Sequence, residues 1–325
     1  MKGRSIITIG FIGLGNVGAK LAGTLQRNGI DLIIHDIEKT QAEPLLDQGA
    51  AWATSPRDIA ARADVIITCL PSPQACATVM ESDNGILAGL SDGAIWMEMS
   101  TTDEAEVKRL GGLVIAQGGR AADCPVSGGC HRAASGNIAI LAGCDRDTFD
   151  AILPILTIMG NDVLHTGPLG SASTLKVVTN YLATANLVSV CEALTVSKAA
   201  GMDLDIAYEA IRISSGNSFV HETESQVILN GSRDINFTMD LVLKDVGLFQ
   251  EIGERAGVGL ELSPVLLNIF KDGQSKYGAR EWSPNIIRRL EDATGLQILA
   301  EGFPSEIVDH EPEVVGREIR PKNYS

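Results

Sequence analysis

The sequence has little positive charge, few aromatic side chains and no apolar run long enough to cross a membrane. Its 26 basic residues are outnumbered by 41 acidic ones, which gives a net charge of −15, and only 4% of its 325 residues are aromatic. Nucleic-acid binding needs a basic surface, and anionic membranes repel an acidic protein. A membrane-spanning helix needs about 20 apolar residues in succession. We therefore expect neither nucleic acid nor membrane as a partner.

Cysteine and histidine are scattered along the chain. None of the six cysteines forms a CxxC pair, and the five histidines lack the spacing of metal ligands. Neither a disulfide framework nor a zinc site is indicated. We expect no bound metal and a reducing, cytoplasmic location.

What the first half does contain is an alternation of short apolar runs with amphipathic stretches, such as 19–28 and 104–117. The apolar runs predict strands at 6–12, 31–35, 64–70, 94–99, 120–124, 138–142 and 162–165. This pattern is typical of an α/β fold with a mostly parallel, doubly wound sheet.

Beyond Gly170 the apolar spacing becomes helical. A long helix is predicted at 171–200, followed by helices near 204–213, 239–256, 264–277 and 286–294. About two domains are expected for this length. We predict an N-terminal domain at 1–168, a helical domain at 169–298 that begins with a long interdomain helix, and a proline-containing extended tail at 299–325, draped on a neighbour or disordered.

A GxGxxG motif directly follows the first predicted strand and opens a helix. Its residues are Gly13, Leu14, Gly15, Asn16, Val17 and Gly18. The first glycine permits a tight turn, the second lets the backbone approach a pyrophosphate, and the third lets the helix pack on the strand. The helix N-terminus supplies amide donors. We interpret the motif as a dinucleotide-binding turn; an unliganded glycine-rich turn is the alternative.

Asp36 ends the second predicted strand, 18 residues after Gly18. An acid about 20 residues past the motif holds the ribose hydroxyls of NAD and repels the 2′-phosphate of NADP. NAD is therefore favoured, while nearby Lys39 leaves NADP open. A plain helix cap is the other interpretation of Asp36.

Two further motifs contain residue types suited to anion binding and to proton transfer. Ser127, Gly128 and Gly129 follow a strand and can turn backbone N–H groups and a hydroxyl toward one anion, although a tight solvent turn has the same composition. Lys176 and Asn180 stand four residues apart on one helix face. Apolar neighbours at Leu175, Val177 and Val178 would favour the uncharged amine that a proton carrier requires, against the alternative of an exposed helix lysine.

These motifs, in this order over residues 8–295, resemble those of the β-hydroxyacid dehydrogenases, the family of 3-hydroxyisobutyrate dehydrogenase, tartronate semialdehyde reductase and relatives of 6-phosphogluconate dehydrogenase. Residues 10–18 resemble the cofactor motif and 123–129 the substrate motif. Residues 170–180 resemble the start of the catalytic helix. The remaining matches are Leu70 and Pro71, Ser100 and Thr101, and Lys244 with Asp245.

The resemblance implies a hydride-transfer enzyme that uses NAD, or NADP, on a small 3-hydroxy acid or its semialdehyde. It implies Lys176 as general acid and base, Asn180 as the residue that orients the substrate, and Ser127, Gly128 and Gly129 as the carboxylate site. Leu70, Pro71 and Thr101 would contact the nicotinamide half, Thr101 also the substrate, and Lys244 the cofactor. A homo-dimer or homo-tetramer is implied as well.

The chain departs from the family pattern at a few positions: Val17 replaces methionine, Glu98 aspartate, Arg132 glycine, Asn137 threonine and Thr179 asparagine. His131 and Arg132 follow the substrate motif, where they would contact a larger or more anionic substrate or form a surface salt bridge. Two alternatives therefore stay open: the same chemistry on a sulfonate or phosphorylated hydroxy acid, and a nucleotide-binding sensor without turnover.

Overall fold

The computed structural model describes residues 7–321 and contains a sheet of ten strands, nine from residues 9–167 and one from the C-terminal segment of the chain. The strands are β1 (Ile9–Ile12), β2 (Leu32–His35), β3 (Ala51–Trp52), β4 (Val65–Thr68), β5 (Ile95–Glu98), β6 (Arg120–Asp123), β7 (Val126–Ser127), β8 (Ile138–Gly143), β9 (Gly160–Gly167) and β10 (Arg317–Ile319). Their order is β10-β9-β8-β6-β5-β4-β1-β2-β3, with β7 beside β8. The pairs are parallel except β6–β8 and β7–β8. The predicted mostly parallel sheet is confirmed.

Helices cover both faces of this sheet. They are α1 (Gly18–Arg27), α2 (Glu43–Leu46), α3 (Pro56–Ala60), α4 (Pro73–Glu81), α5 (Ile86–Gly89), α6 (Glu104–Ala116), α7 (Gly129–Ser135) and α8 (Arg146–Met159). In β4, Val65 and Ile67 belong to one buried cluster, which includes Leu21 of α1, and Ile66 belongs to another, which includes Leu110 of α6. Successive side chains of a strand point to opposite faces, so both faces of β4 are buried. This is the doubly wound arrangement that near-continuous apolar strands require.

The chain divides into two compact units. The first contains residues up to Lys176 and the segment from Asp309 onward, and the second runs from Val177 to Val308. The division at Lys176 lies a short way beyond the domain boundary predicted at 168/169, and the predicted tail belongs to both units. The parts of the predicted first strand and tail that fall on residues 1–6 and 322–325 lie outside the described residues.

The second unit is helical. Its helices are α9 (Ser171–Ala199), which begins in the first unit, α10 (Leu204–Arg212), α11 (Phe219–Asn230), α12 (Met239–Arg255), α13 (Leu262–Tyr277) and α14 (Arg288–Thr294), the last preceded by a 3-10 turn at Ser283–Ile287. One cluster of buried side chains, including Leu194, Met239 and Phe270, forms its core. The predicted helical C-terminal domain is confirmed.

Helix α9 is long enough and apolar enough to cross a membrane, judged by length and composition alone. It has 29 residues, and the mean hydropathy of its most apolar 18-residue window is 1.2, with 33% of that window buried. Among the described helices it alone meets this criterion. The criterion is weak evidence, because a core helix of a globular protein meets it too. In α9, Leu187 and Leu194 belong to the core of the second unit.

The described part of the predicted tail makes ordered contacts with its own chain. Ala300 N–H donates to the Leu229 carbonyl at 2.9 Å, within the second unit. Farther on, β10 pairs in parallel with β9 in the first unit, with Arg317 opposite Asp162. The tail thus adds an edge strand to the sheet.

Candidate active site

The glycine motif forms a sharp turn between β1 and α1. Gly13 has φ +95°, and a Cβ there would lie 2.3 Å from the Cys69 carbonyl oxygen. A Cβ on Gly18 would lie 2.0 Å from the Gly13 carbonyl oxygen, so only glycine lets α1 pack this closely on the turn. Around Gly15 no atom lies within 4 Å of the position of a Cβ, which leaves its backbone open to a ligand. The sharp turn, the close packing of α1 and the open space at Gly15 are the geometry that a dinucleotide-binding turn requires, and the contacts of these glycines with a cofactor stay a prediction.

The N-terminus of α1 has the partial positive charge of a helix dipole. No described side chain caps it, and its first turn has no acidic residue. Unpaired N–H groups and the helix dipole make such an end a site for phosphate. The turn and the helix end therefore fit the pyrophosphate of a dinucleotide.

Asp36 lies at the carboxyl end of β2, beside the glycine motif. Its Oδ2 accepts a hydrogen bond from Leu14 N–H at 2.6 Å, and its Oδ1 accepts one from Glu38 N–H at 2.9 Å. The half-buried carboxylate therefore holds the turn in place and adds a negative charge beside it. Lys39 lies 5.6 Å from the centre of the Trp52 ring, in a cation–π contact.

The loops after β4 and β5 are tied to each other by hydrogen bonds. Leu70 N–H donates to Ser100 Oγ at 2.7 Å, and Ser100 N–H donates to Glu98 Oε1 at 2.7 Å. Since β4 and β5 are parallel neighbours, Pro71 and the half-buried Thr101 follow at the same edge of the sheet. The predicted contacts to the nicotinamide half thus lie on two braced loops.

Glu98 is the centre of this brace, and sequence reasoning noted it only as a departure. It is fully buried, and its Oε2 accepts hydrogen bonds from Thr68 Oγ1 at 2.7 Å and Cys76 Sγ at 2.8 Å. Burial raises the pKa of the Glu98 carboxyl, although these hydrogen bonds act in the opposite direction. Burial also raises the pKa of the Cys76 thiol, next to this carboxyl, so Cys76 acts as a donor and not as a nucleophile.

Asp123, at the end of β6, holds the start of α9. Its Oδ1 accepts from Gly170 N–H at 2.7 Å and its Oδ2 from Ser173 N–H at 2.6 Å. Burial raises the pKa of Asp123, while the two backbone donors lower it. A helix N-terminus favours a carboxylate partner. The substrate motif that begins at Asp123 and the helix that carries Lys176 are therefore held together within the first unit.

The serine and two glycines of the substrate motif form the connection from β7 to α7. Gly128 has φ +132° and Gly129 has φ +88°, values that favour glycine. Ser127 lies at the end of β7, opposite Ala139 of β8. Consecutive residues in unusual backbone conformations can direct their N–H groups to one anion. This backbone geometry occurs both in anion-binding turns and in plain solvent turns, so the carboxylate site stays a prediction.

Lys176 is buried, with 8% of its surface exposed. It lies on the second turn of α9, and Val177 beside it is 1% exposed. Leu175, which was expected to help desolvate the amine, is instead 40% exposed, so the burial of Lys176 does not come from this neighbour. The alternative interpretation of Lys176 as an exposed helix lysine is therefore wrong.

Asn180 is one helical turn beyond Lys176 and is held by a buried carboxylate. Its Nδ2 donates to Asp245 Oδ2 at 2.6 Å, and Lys244 Nζ lies 2.9 Å from Asp245 Oδ1. Asp245 itself is 1% exposed. No role for Asp245 was predicted from the sequence, where it was named only because it follows Lys244.

Two family models together match nearly all of the chain up to residue 290. Residues 8–167 match the NAD binding domain of 6-phosphogluconate dehydrogenase, and residues 170–290 match the model described as NAD-binding of NADP-dependent 3-hydroxyisobutyrate dehydrogenase.

Individual relatives agree. The chain is 31% identical to 2-(hydroxymethyl)glutarate dehydrogenase of Eubacterium barkeri, over 90% of this chain and 97% of the relative. It is 32% identical to the mitochondrial 3-hydroxyisobutyrate dehydrogenase of Rattus norvegicus, over 85% and 84%. The crystal structure of a 3-hydroxyisobutyrate dehydrogenase from Salmonella typhimurium superposes with a TM-score of 0.80 at 25% identity, over 87% of this chain and 99% of that one. This chain therefore belongs to the β-hydroxyacid dehydrogenase family and is an NAD(P)-dependent oxidoreductase.

Proposed function

We propose that the enzyme transfers a hydride between NAD and the β-hydroxyl carbon of a small 3-hydroxy acid, with Lys176 as general acid and base. The observation that carries the proposal is the buried Lys176 on a helix whose start is held by Asp123 of the substrate motif. A sensor that only binds nucleotide needs no buried amine beside an anion site.

Ser127, Gly128 and Gly129 would bind the carboxylate of the substrate and so fix the position of its β-hydroxyl. Uncharged Lys176 then takes the proton of that hydroxyl during oxidation, and the ammonium returns a proton to the carbonyl oxygen during reduction. Asn180, oriented by Asp245, would hydrogen-bond the substrate one helical turn away. The bound cofactor supplies the hydride acceptor.

The cofactor would be held by Gly13, Leu14, Gly15, Asn16, Val17 and Gly18 and by the loops at Leu70, Pro71 and Thr101. Asp36 favours NAD over NADP, because a carboxylate at this strand end accepts from ribose hydroxyls and repels a 2′-phosphate. Lys39 lies over Trp52, so it offers NADP less help than its place in the sequence suggests. Lys244 is proposed as a cofactor contact on the family resemblance alone.

The cellular location and the oligomeric state are proposed from the buried cysteines and the exposed apolar side chains. Buried Cys124 and Cys144 have raised pKa values, about 12 for Cys144, with burial as the main cause. Buried thiols of this kind suit a reducing compartment, and we propose the cytoplasm. We also propose a homo-dimer or homo-tetramer. The exposure of large apolar side chains such as Ile206 and Ile213 supports this proposal. Light scattering of the purified protein measures the assembly.

A substrate panel tests the proposal. Purified enzyme is mixed with small β-hydroxy acids and their semialdehydes, with NAD and NADP in parallel, and the absorbance of the reduced cofactor is followed. We expect turnover of at least one carboxylate substrate, faster with NAD. Binding of NADH without turnover of any compound would favour the sensor, and turnover of only sulfonates or phosphorylated acids would favour that alternative.

A further inference from the structure

The C-terminal segment, residues 309–319, lies beyond the region that this chain shares with its relatives. The family models end at residue 290, and the alignment with the Eubacterium barkeri enzyme covers 97% of that protein but only 90% of this one. The segment nevertheless belongs to the first unit, where β10 extends the sheet. A Cβ on Gly316 would lie 1.9 Å from the Gly160 carbonyl oxygen, so only glycine lets the chain pack this closely on β9. The segment is therefore an integral part of the first unit.

Helix α7 begins at the candidate anion motif and is too short to be stable by itself. It has seven residues, no described side chain caps its N-terminus, and it buries Ala133. Isolated helices shorter than about 12–15 residues are marginal in water, so α7 depends on its neighbours. At about 1.5 Å per residue α7 spans about 10 Å, so contacts at its last turn also fix the motif at its first turn.

The last turn of α7 is held by α1, the helix that begins at the glycine motif. Thr24 Oγ1 donates to the Ala133 carbonyl oxygen at 3.0 Å, and Arg27 Nη2 donates to the Ala134 carbonyl oxygen at 3.0 Å. The last carbonyl groups of a helix lack partners within the helix, so these two bonds replace a C-terminal cap. Helix α1 thus connects the candidate cofactor turn to the end of α7.

The C-terminal segment holds the arginine of this contact in its orientation. Glu313 Oε2 accepts from Arg27 Nε at 2.9 Å, and Glu313 Oε1 accepts from Asn28 Nδ2 at 2.7 Å. Arg27 Nη2 also donates to Thr24 Oγ1 at 3.2 Å. A guanidinium is planar and presents its donors in a fixed fork, so a carboxylate at Nε sets the direction in which Nη2 points. Glu313 therefore directs Nη2 toward the end of α7.

A second contact joins the segment to α7 directly. Asp309 Oδ2 accepts hydrogen bonds from Ser135 Oγ, in the last residue of α7, and from Asn137 Nδ2, the latter at 2.8 Å. Asn137 Nδ2 also donates to the Glu311 carbonyl oxygen at 3.1 Å. The segment thus contacts α1 at Arg27 and α7 at Ser135, and it stabilises the contact between the two helices.

We propose that the C-terminal segment is a positioning element for substrate binding. Glu313, through Arg27, and Asp309 hold α7 in place. The Ser127–Gly129 motif at the start of α7 is thereby held where it binds the substrate carboxylate. The inference rests on the proposed function, which assigns the carboxylate to this motif.

Loss of these contacts should weaken binding of the hydroxy acid and spare the other steps. The glycine motif is held by Asp36, and the start of α9, which carries Lys176, is held by Asp123, so neither depends on Glu313. Bound substrate favours the ordered position of α7, so saturating substrate restores it. We therefore expect a higher KM for the hydroxy acid, with KM for NAD and kcat at their wild-type values.

Steady-state kinetics with the best carboxylate substrate of the panel test the proposal. Glu313→Gln and Arg27→Gln should each raise KM for the acid about twofold to fivefold, the effect of losing one exposed charged contact. The Arg27 and Glu313 double variant should equal Arg27→Gln alone, because Glu313 acts through Arg27. Adding Asp309→Asn to Glu313→Gln removes both contacts and should raise KM about fourfold to 25-fold.

Arg62→Gln is the matched control. Arg62 and Arg27 have the same side-chain exposure of 43%, and Arg62 pairs with Asp58 at 3.3 Å, outside α1, α7 and the C-terminal segment. This variant should have wild-type KM values for the acid and for NAD.

Three results would overturn the inference and leave the proposed function standing. They are an unchanged KM for the acid when both Glu313 and Asp309 are replaced, an equal rise of KM for the acid and for NAD, and multiplied effects of the Arg27 and Glu313 substitutions. Failure of the wild type to turn over any small hydroxy acid would refute the proposed function itself, and the inference with it.

Discussion

At the scale of single residues, buried carboxylates position the candidate site. Asp123, Glu98 and Asp245 are each at most 1% exposed, and each accepts hydrogen bonds from groups that the proposed chemistry uses. A buried carboxylate is costly to desolvate and is tolerated where its donors compensate. We infer that these residues act through the groups they hold and not by contact with substrate.

We propose that Asp36 sets the cofactor preference. On this proposal, Asp36→Ala removes the charge that opposes a 2′-phosphate and the hydrogen bonds to ribose. A charge-assisted hydrogen bond contributes about 1.5–3 kcal/mol, so the NAD/NADP ratio of kcat/KM should fall about 10-fold to 100-fold. Steady-state kinetics with both cofactors measure this ratio. Asp31→Ala, an exposed position before β2, is the control, and an unchanged ratio in Asp36→Ala would refute the ribose assignment.

Asp245 is expected to orient Asn180. In Asp245→Ala the Asn180 amide loses its acceptor and Lys244 its ion-pair partner, so kcat should fall by about tenfold or more, since breaking such a buried contact costs over 1 kcal/mol. The exposed Glu251→Ala in the same helix should have normal kcat. Normal kcat in Asp245→Ala as well would show that Asn180 needs no fixed orientation.

The sequence was sufficient to predict residues that act through their own motif and insufficient for residues that act through distant partners. Gly13 and Gly18 lie in a local pattern, and the structure gives each the surroundings that the pattern indicates. Lys176 is buried as its pattern indicates, although its neighbour Leu175 is exposed. Glu98 and Asp245 reach partners 30 and 65 residues away in the chain through Thr68 and Asn180. A single sequence contains no signal for such pairs.

At the scale of elements, the start of α9 is fixed by Asp123. Asp123→Ala leaves two buried N–H groups without acceptors, at about 1–3 kcal/mol each, so the free energy of unfolding should drop by about 2–6 kcal/mol and turnover should fall with it. Denaturant titration and kinetics measure the two effects.

Asp145→Ala is the matched control for that prediction. Asp145 caps α8 through Thr148 N–H at 2.9 Å, and its loss should cost about 1 kcal/mol of stability without altering turnover. If Asp123→Ala loses stability alone, with normal turnover, Asp123 has no part in positioning Lys176.

Helices and strands with a regular spacing of apolar residues were predicted from the sequence. Short elements and helices with a partly polar buried face were not. Strands β3 and β7 have two residues each, and β10 has three, which is too short for any alternation to be visible. Helix α11 was missed because its buried face is partly polar. Its His221 ring lies 3.0 Å from Ser225 Oγ and 2.9 Å from the Tyr208 carbonyl oxygen, so tertiary contacts satisfy polar groups that look exposed in the sequence.

At the scale of the whole molecule, one buried acid makes stability depend on pH. Burial raises the pKa of Glu224 from 4.5 to about 8, and its Oε2 has no hydrogen-bond partner among residues 7–321. The folded protein therefore keeps this proton up to about pH 8, whereas the unfolded chain releases it near pH 4.5. The contribution of Glu224 to the free energy of unfolding has its full value below pH 4.5 and is lost as the pH rises through 8.

Glu224→Gln mimics the protonated form and should remove this loss. The melting temperature of the variant should exceed that of the wild type at pH 9 and match it near pH 5. Glu222→Gln, exposed on the same helix, should behave as the wild type does at both pH values. Equal melting of the Glu224 variant and the wild type at pH 9 would mean that the carboxyl is not desolvated.

The account as a whole depends on Lys176 as the proton carrier. Proton transfer contributes about 10² to 10⁴ in rate, so Lys176→Ala should lose that factor in kcat and should still bind NADH. Fluorescence titration measures the binding of NADH. Lys198→Ala, exposed near the other end of α9, should retain both. If the enzyme without the amine at position 176 turns over its hydroxy acid at the wild-type rate, the proposed mechanism is wrong.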